Sequence, residues 1–211
     1  MDNSNLSVIG LGKLGACTAA CFASKGFNVI GVDINKNYVD LINQGKSQVL
    51  EPRLQELITF AGSKLKATQD YNEAMLNSAV TFLITPTPSL PNGYFSDEYL
   101  KRALKPLSQA LKESKKAFHI FVITSTVSPG ATEKNLIPLI EKYSGRKLNK
   151  GFGVAYNPEF IALGDVINGF LKPDLVLIGE SSKEVGGELE EIYKKACENS
   201  PFIARMSLVS A

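Results

Sequence analysis

Hydrophobic residues fall into short apolar runs that alternate with longer amphipathic stretches. The apolar runs are rich in Val, Ile, Leu and Phe with little polar alternation, which is typical of strands covered on both faces of a sheet. They predict strands at residues 6–10, 28–33, 80–85, 118–124, 153–156 and 175–179. The intervening stretches predict helices at residues 14–25, 36–44, 52–61, 97–114, 132–143 and 183–197. This alternation indicates an α/β fold, doubly wound, with a mostly parallel sheet and helices on both faces.

The same alternation continues along the whole chain, so we predict a single domain over residues 1–211, with a disordered tail over about residues 1–5. No internal repeat or low-complexity tract interrupts it. The stretch SGRKLNKG, which begins at Ser144, is interpreted as a polar connection between a helix and the next strand. With 44% hydrophobic residues, a chain of 211 residues can bury a substantial core.

Charge and hydropathy narrow the class of partner. The formal net charge is +2 and acids and bases are interspersed, which argues against nucleic acid or an anionic membrane as the main partner. The longest apolar runs, AFHIFVIT and AVTFLIT, are far shorter than the roughly 20 residues that a membrane span needs. The N-terminal MDNSN has no signal-peptide character. We therefore expect a cytoplasmic protein.

The cysteines show no metal-ligand spacing and no disulfide framework. Cys17 and Cys21 lie one helical turn apart and could share a metal, but no acid or imidazole lies near them in the sequence. We expect both to be buried as small hydrophobic residues, and no metal site. The single histidine, His119, lies in a predicted strand and is expected to be structural.

A glycine-rich turn follows the first predicted strand. Gly10, Gly12 and Gly15 have the G-x-G-x-x-G spacing: the first permits a tight turn, the second admits a pyrophosphate, and the third lets helix and strand pack closely. The second predicted strand ends at Asp33, where a carboxylate can accept hydrogen bonds from an adenosine ribose and would repel a 2′-phosphate. The sequence therefore predicts a Rossmann-like fold that binds NAD rather than NADP. A plain tight turn, an FAD protein and a methyltransferase are the alternatives.

Polar residues also follow three later strands, at the sheet edge where doubly wound folds bind ligands. Thr85 ends one strand before Pro86, which fixes an extended loop. Thr126 follows another strand, and Asn157 and Glu159 follow a third. We expect these hydroxyls and this carboxylate to face the nicotinamide.

Taken in order, the motifs VIGLGKLG, VDIN, TPTPS, STVSPGAT and NPEFIALGDVINGFLKPDLVLIG resemble the N-terminal domain of the UDP-glucose/GDP-mannose dehydrogenase family. The resemblance covers residues 6–179. It implies NAD-dependent oxidation of the primary alcohol of a UDP- or GDP-hexose to the uronic acid, with two NAD consumed. A nucleotide sugar is then the partner, and a homodimer is expected only with segments downstream of this sequence.

Carried over residue by residue, the resemblance implies a set of site residues. The cofactor residues would be Gly10, Leu11, Gly12, Lys13, Leu14, Gly15, Asp33, Thr85, Pro86 and Thr126. Thr126 and Glu159 would be catalytic, and Asn157, Glu159 and Phe160 would face the substrate. Two alternatives stay open: Glu159 as a cap for a helix beginning near Phe160, and Lys13 pointing into solvent, which we favour.

The sequence also departs from the family pattern. The family commonly has Pro-Glu-Phe-Leu-Arg-Glu-Gly, whereas Ile161, Ala162 and Leu163 follow Phe160 here, so a second acid is missing. Asp165 is a candidate replacement.

In this family the oxidation uses a cysteine in a glycine-rich Ser-Cys-Phe setting, beyond a helix that carries Lys and Asn. The sequence ends at ARMSLVSA before such motifs, and Cys197 has no basic partner, so we assign Cys197 to structure. These 211 residues are therefore expected to bind NAD without turning over a nucleotide sugar. The alternative is a non-catalytic, regulatory NAD-binding module.

Overall fold

The computed structural model describes residues 4–211 and contains one eight-stranded sheet. The strands are β1 (Asn5–Ile9), β2 (Asn28–Val32), β3 (Leu65–Thr68), β4 (Val80–Leu83), β5 (Ile120–Ile123), β6 (Gly153–Tyr156), β7 (Leu175–Glu180) and β8 (Phe202–Ser207). Their order in the sheet is β3-β2-β1-β4-β5-β6-β7-β8. All neighbours run parallel except β6 and β7, which are antiparallel. The predicted mostly parallel sheet is confirmed.

Helices cover both faces of this sheet, as predicted. They are α1 (Lys13–Ser24), α2 (Lys36–Asn43), α3 (Leu54–Ala61), α4 (Tyr71–Asn77), α5 (Glu98–Glu113), α6 (Ile137–Ser144), α7 (Val166–Leu171) and α8 (Lys183–Ala196). One apolar core lies between the sheet and α1, α2, α3, α7 and α8, and a second lies under α4, α5 and α6.

Each predicted strand and helix is present, with ends shifted by a few residues. The sequence pattern missed β3, α4, α7 and β8. The two strands lie at the edges of the sheet: β3 has only two buried residues and β8 has none, so neither forms an apolar run. The two helices have only seven and six residues. The predicted disordered tail, residues 1–5, included Asn5, which is instead the first residue of β1. Residues 1–3 lie outside the described residues.

The helix predicted at residues 132–143 begins with a π-helical turn, Thr132–Leu136, before α6. Pro138 explains the irregular start, because proline has no N–H to donate and its ring clashes with the carbonyl four residues earlier.

The buried polar and sulfur-bearing residues have structural environments. His119 is fully buried, with Nε2 2.8 Å from the Thr81 hydroxyl, and burial lowers the pKa of His119 to about 3, so the ring is neutral. Cys17 and Cys21 are buried in α1, as predicted. Over residues 4–211 there is no cluster of potential metal ligands, and no helix is long and apolar enough to cross a membrane.

The order of the strands in the sheet determines where a ligand-binding crevice can form. The chain proceeds from β1 to β2 and β3 on one side and continues from β4 on the other side, so a crevice opens at the carboxyl ends of β1 and β4.

Candidate functional site

The turn between β1 and α1 occupies this crevice, and its three glycines have distinct roles. Gly10 has a φ of +95°, and a Cβ there would lie 2.3 Å from the Ile84 carbonyl oxygen. A Cβ on Gly15 would lie 1.8 Å from the carbonyl oxygen of Gly10, so these positions require glycine to pack helix against strand. A Cβ on Gly12 would meet nothing within 4 Å. Gly12 thus leaves open space where a ligand can approach the backbone.

Gly12 is also the N-cap residue of α1, immediately before the first residue of the helix. No side chain caps this helix end, and no acid lies in its first turn. The first amides of a helix point outward with a partial positive charge, so this end of α1 suits the phosphates of a dinucleotide.

Asp33 follows β2 and holds the glycine loop. One carboxylate oxygen accepts the Leu11 N–H at 2.7 Å and the other accepts the Asn35 N–H at 2.8 Å. Each oxygen keeps a lone pair for a further donor, because a carboxylate can accept about four hydrogen bonds. The carboxylate therefore orders the loop and can still accept from a ribose.

These elements surround a cleft of about 800 Å³. Ten predicted residues line it: Gly10, Gly12, Lys13, Leu14, Gly15, Asp33, Thr85, Pro86, Thr126 and Glu159. Leu11, Asn157 and Phe160 are outside the lining. The walls also include residues that the sequence did not single out, among them Ile34, Tyr38, Tyr71, Tyr99 and Arg102.

Leu11 contributes backbone rather than side chain. Its side chain is fully buried and packs against Gly31, where an added Cβ would lie 2.6 Å from Cδ2 of Leu11. Its N–H donates to Asp33, and its carbonyl accepts from the side-chain amide of Gln48 at 2.7 Å.

Thr85 is held beside Thr126 by Ser125, which the prediction of site residues omitted. The Ser125 hydroxyl accepts the Thr85 N–H and donates to the Thr85 carbonyl, both at 2.8 Å. The buried hydroxyls of Thr85 and Thr124 have no hydrogen-bond partner among the described residues. Both residues line the cleft, although the two hydroxyl oxygens themselves have almost no exposed surface.

Glu159 lies where the loop after β6 reaches the cleft. Burial raises the pKa of its carboxyl to about 7, against a smaller opposing effect of the Tyr193 hydroxyl, which lies 3.3 Å from Oε1. Such a carboxyl can accept or donate a proton near neutral pH. No helix begins at Phe160; α7 begins at Val166. The alternative role of Glu159 as a helix cap is therefore wrong.

Asn157 lies beneath the cleft instead of in its wall. It is 2% exposed, and its amide donates to the Leu177 carbonyl at 2.9 Å while its oxygen accepts from the Tyr193 hydroxyl at 2.5 Å. Phe160 is 65% exposed on the outer surface of the same loop. Asp165 is exposed and accepts from Asn168, so it does not bring a second carboxylate to the cleft.

The expectation that Lys13 points freely into solvent is wrong. Its ammonium lies 3.0 Å from the carboxylate of Glu51, whose side chain has no exposed surface. The other oxygen of Glu51 accepts the Val166 N–H at 2.9 Å. Burial would raise the pKa of Glu51, but the Val166 amide and Lys13 outweigh it and lower that pKa below its ordinary value. Glu51 thus connects the glycine loop to the end of the loop that carries Glu159.

Comparison with known proteins gives a consistent result. A model of the UDP-glucose/GDP-mannose dehydrogenase family, NAD binding domain, matches residues 4–197. The chain is 40% identical to the GDP-mannose 6-dehydrogenase of Pseudomonas aeruginosa over 95% of its own length and 46% of the relative's. It is 38% identical to a UDP-glucose 6-dehydrogenase of Haloferax volcanii, over 92% of this chain and 45% of the relative. The chain therefore spans about half the length of the curated relatives it matches.

Solved structures show the same likeness. A ternary complex of GDP-mannose dehydrogenase from Pseudomonas aeruginosa superposes with a TM-score of 0.92 at 39% identity, over 97% of this chain and 47% of that one. A UDP-glucose dehydrogenase from Pyrobaculum islandicum gives a TM-score of 0.89 at 29% identity, over 98% and 46%.

Proposed function

The chain belongs to the UDP-glucose/GDP-mannose dehydrogenase family as its NAD-binding domain, and from this premise we propose that it is the cofactor half of a nucleotide-sugar 6-dehydrogenase. The complete reaction would oxidise the primary alcohol of a UDP- or GDP-hexose to a uronic acid, using two NAD. The observation that carries this proposal is the convergence of the glycine loop, Asp33, Thr126 and Glu159 on one cleft.

The cleft fits NAD on several counts. The space at Gly12 and the uncapped start of α1 suit the pyrophosphate, and Asp33 suits the adenosine ribose. Thr85 and Pro86 line the cleft beyond these groups, where the dinucleotide would continue. NAD is preferred to NADP because a 2′-phosphate beside the Asp33 carboxylate would be repelled.

Bound NAD would supply the hydride acceptor, and the protein would handle protons and water. Thr126 and Glu159 line the same cleft, after neighbouring strands β5 and β6. With a pKa of about 7, Glu159 is suited to accept a proton from the alcohol, directly or through water. Thr126, which is exposed, can hold water or substrate beside it.

The two remaining predicted substrate residues, Phe160 and Asn157, differ in their exposure. Phe160 presents an exposed ring next to Glu159 and stays a proposed contact for the nucleotide sugar. Asn157 is buried, so we propose that it acts on the substrate only indirectly, through Tyr193 and Glu159. Both GDP-mannose and UDP-glucose enzymes are among the relatives, and the proposal therefore includes both sugars.

The cysteines of these 211 residues do not suit nucleophilic catalysis. Burial raises the pKa of Cys17 to about 12, of Cys197 to about 11, and of Cys21 still higher, so all three are neutral thiols at pH 7. We propose that this chain binds NAD without turning over a nucleotide sugar by itself. Free thiols also fit the cytoplasm, where we propose that it functions.

Calorimetric titration tests the cofactor assignment. NAD should bind to the 211-residue chain more tightly than NADP, and binding of NADP alone would contradict the proposal. Mixing the chain with NAD and either UDP-glucose or GDP-mannose should give no steady absorbance of NADH. The same absence would be shown by a regulatory NAD-binding module, so supplying the downstream half of a relative is the deciding arm: restored NADH production supports the dehydrogenase.

A further inference from the structure

Tyr193 is a buried residue of α8, and its hydroxyl lies 3.3 Å from Oε1 of Glu159, in the loop after β6. We propose that Tyr193 is a positioning residue for Glu159: its hydroxyl holds the carboxyl at the cleft in both the protonated and the ionised form. This inference rests on the proposed function, in which Glu159 takes up and releases a proton.

The phenol ring itself is fixed. Tyr193 is 2% exposed and its ring packs against Phe22 of α1 and Phe170 of α7, with ring centroids 6.3 and 6.0 Å away. A buried phenol in such packing needs a hydrogen-bond partner, and here the oxygen is directed at two.

The first partner is Asn157, whose orientation is set by the backbone. Its side-chain nitrogen donates to the Leu177 carbonyl in β7, and its main-chain N–H donates to the Ile123 carbonyl in β5. The amide oxygen must therefore be the atom that faces Tyr193, as an acceptor only.

The second partner is Glu159, and the hydroxyl has only one proton for two acceptors. When Glu159 is ionised, the Tyr193 proton is shared between the carboxylate and the Asn157 oxygen. When Glu159 is protonated, its own O–H can donate to the Tyr193 oxygen while Tyr193 donates to Asn157. A hydroxyl can thus satisfy either form of the carboxyl, which an ammonium, a donor only, could not do. Tyr193 keeps the carboxyl in place as its charge changes.

Other titratable groups around Glu159 keep one charge state near neutral pH. Burial and the charge of Glu159 raise the pKa of Tyr193 well above its usual value, so the phenol keeps its proton. The thiols of Cys21 in α1 and Cys197 after α8 are neutral as well. Lys13, which also lines the cleft, is paired with Glu51. The titration of Glu159 near pH 7 is therefore separate from that of its neighbours.

The test is an NMR titration of the 211-residue chain carrying ¹³C-labelled glutamate, with the Glu159 carboxyl signal assigned from its loss in Glu159→Gln. In Tyr193→Phe the midpoint of Glu159 should rise by about one pH unit, because the hydrogen bond that the ionised carboxylate accepts is stronger than the one that the neutral acid donates, and its loss therefore costs the ionised form more. Tyr156→Phe is the matched control, since it removes the same hydroxyl from β6, and its midpoint should equal that of the wild type. An unchanged midpoint in a folded Tyr193→Phe would overturn the inference.

A second measurement needs no variant. In the wild type the ¹³Cζ signal of Tyr193 should change with the midpoint of Glu159, because the hydrogen bond of the phenol changes with the charge of the carboxyl. A Tyr193 signal that is flat through that midpoint would also overturn the inference. Failure of NAD to bind would contradict the proposed function alone, because neither titration uses the cofactor.

Discussion

The Leu11 amide donates to the Asp33 carboxylate at 2.7 Å, which joins the glycine loop to the end of the neighbouring strand. The same carboxylate accepts from Asn35, so both of its oxygens are used by the backbone before any ligand binds. Asp33 is therefore part of the architecture of the site as well as a predicted contact to NAD.

Asp33→Asn should weaken both NAD binding and the fold. The Asn side chain has one oxygen for the two N–H groups of Leu11 and Asn35, so its NH₂ group would face one of these N–H groups without an acceptor between them. We expect the free energy of unfolding to fall by about 1–2 kcal/mol. NAD affinity should fall about tenfold or more. Urea denaturation and calorimetry measure the two effects, with exposed Asp174→Asn as the control. Unchanged NAD affinity would remove Asp33 from the proposed site.

Two alanine substitutions in the glycine loop should separate binding from folding. Gly12→Ala adds a methyl group to open space in the cleft, so the fold should be kept while NAD affinity falls at least about tenfold. Gly15→Ala puts the methyl group against the Gly10 carbonyl and should destabilise the fold by about 3 kcal/mol. In α8, Gly187→Ala meets only an ordinary contact at 3.7 Å and is the control. Equal effects of Gly12→Ala and Gly15→Ala on stability would contradict these roles.

Glu51→Gln should loosen the connection between the glycine loop and the loop after β6. We expect a loss of about 1–3 kcal/mol, because the Lys13 ammonium loses its charged partner. The pKa of Glu51 is lowered on folding, so its stabilising effect is present above the pKa of an unfolded glutamate, about 4.3, and is lost as pH falls below it.

Urea unfolding at pH 7 and pH 3 checks this expectation. The difference between wild type and Glu51→Gln should shrink at the lower pH, whereas exposed Glu113→Gln should behave as wild type at both. A difference independent of pH would show that the charge of Glu51 is not what stabilises the pair.

Glu159 should affect stability in the opposite direction. Because folding raises its pKa to about 7, the folded state binds the proton more tightly than the unfolded state. The contribution of Glu159 to the free energy of unfolding is greatest below about pH 4.3, decreases as pH rises to about 7, and does not change further above that pH. Between pH 5 and pH 8 the wild type should lose about 1–3 kcal/mol relative to Glu159→Gln. Parallel stability curves for the two proteins would place the pKa of Glu159 near its ordinary value.

The glycine loop and the strand ends were predictable because their constraints are local. The spacing of Gly10, Gly12 and Gly15 after an apolar run defines the turn, and parallel strands bring Thr85, Thr126 and Glu159 to one edge of the sheet. Tyr193 was not predictable, since it lies 34 positions from Glu159 and resembles any apolar residue of an amphipathic helix. Lys13 was assigned to solvent because its partner, Glu51, lies in a loop whose path the apolar pattern does not define.

The antiparallel direction of β7 has a consequence for the rigidity of the site. The last pair of β6 joins Tyr156 to Gly179, so residues 175–178 continue beyond the end of β6, and β8 pairs with each of them. This overhang supplies the Leu177 carbonyl on which Asn157 is fixed. Asn157, two residues before Glu159, is thus attached to a strand that is paired along its whole length with β8, which restricts the movement of the start of the loop.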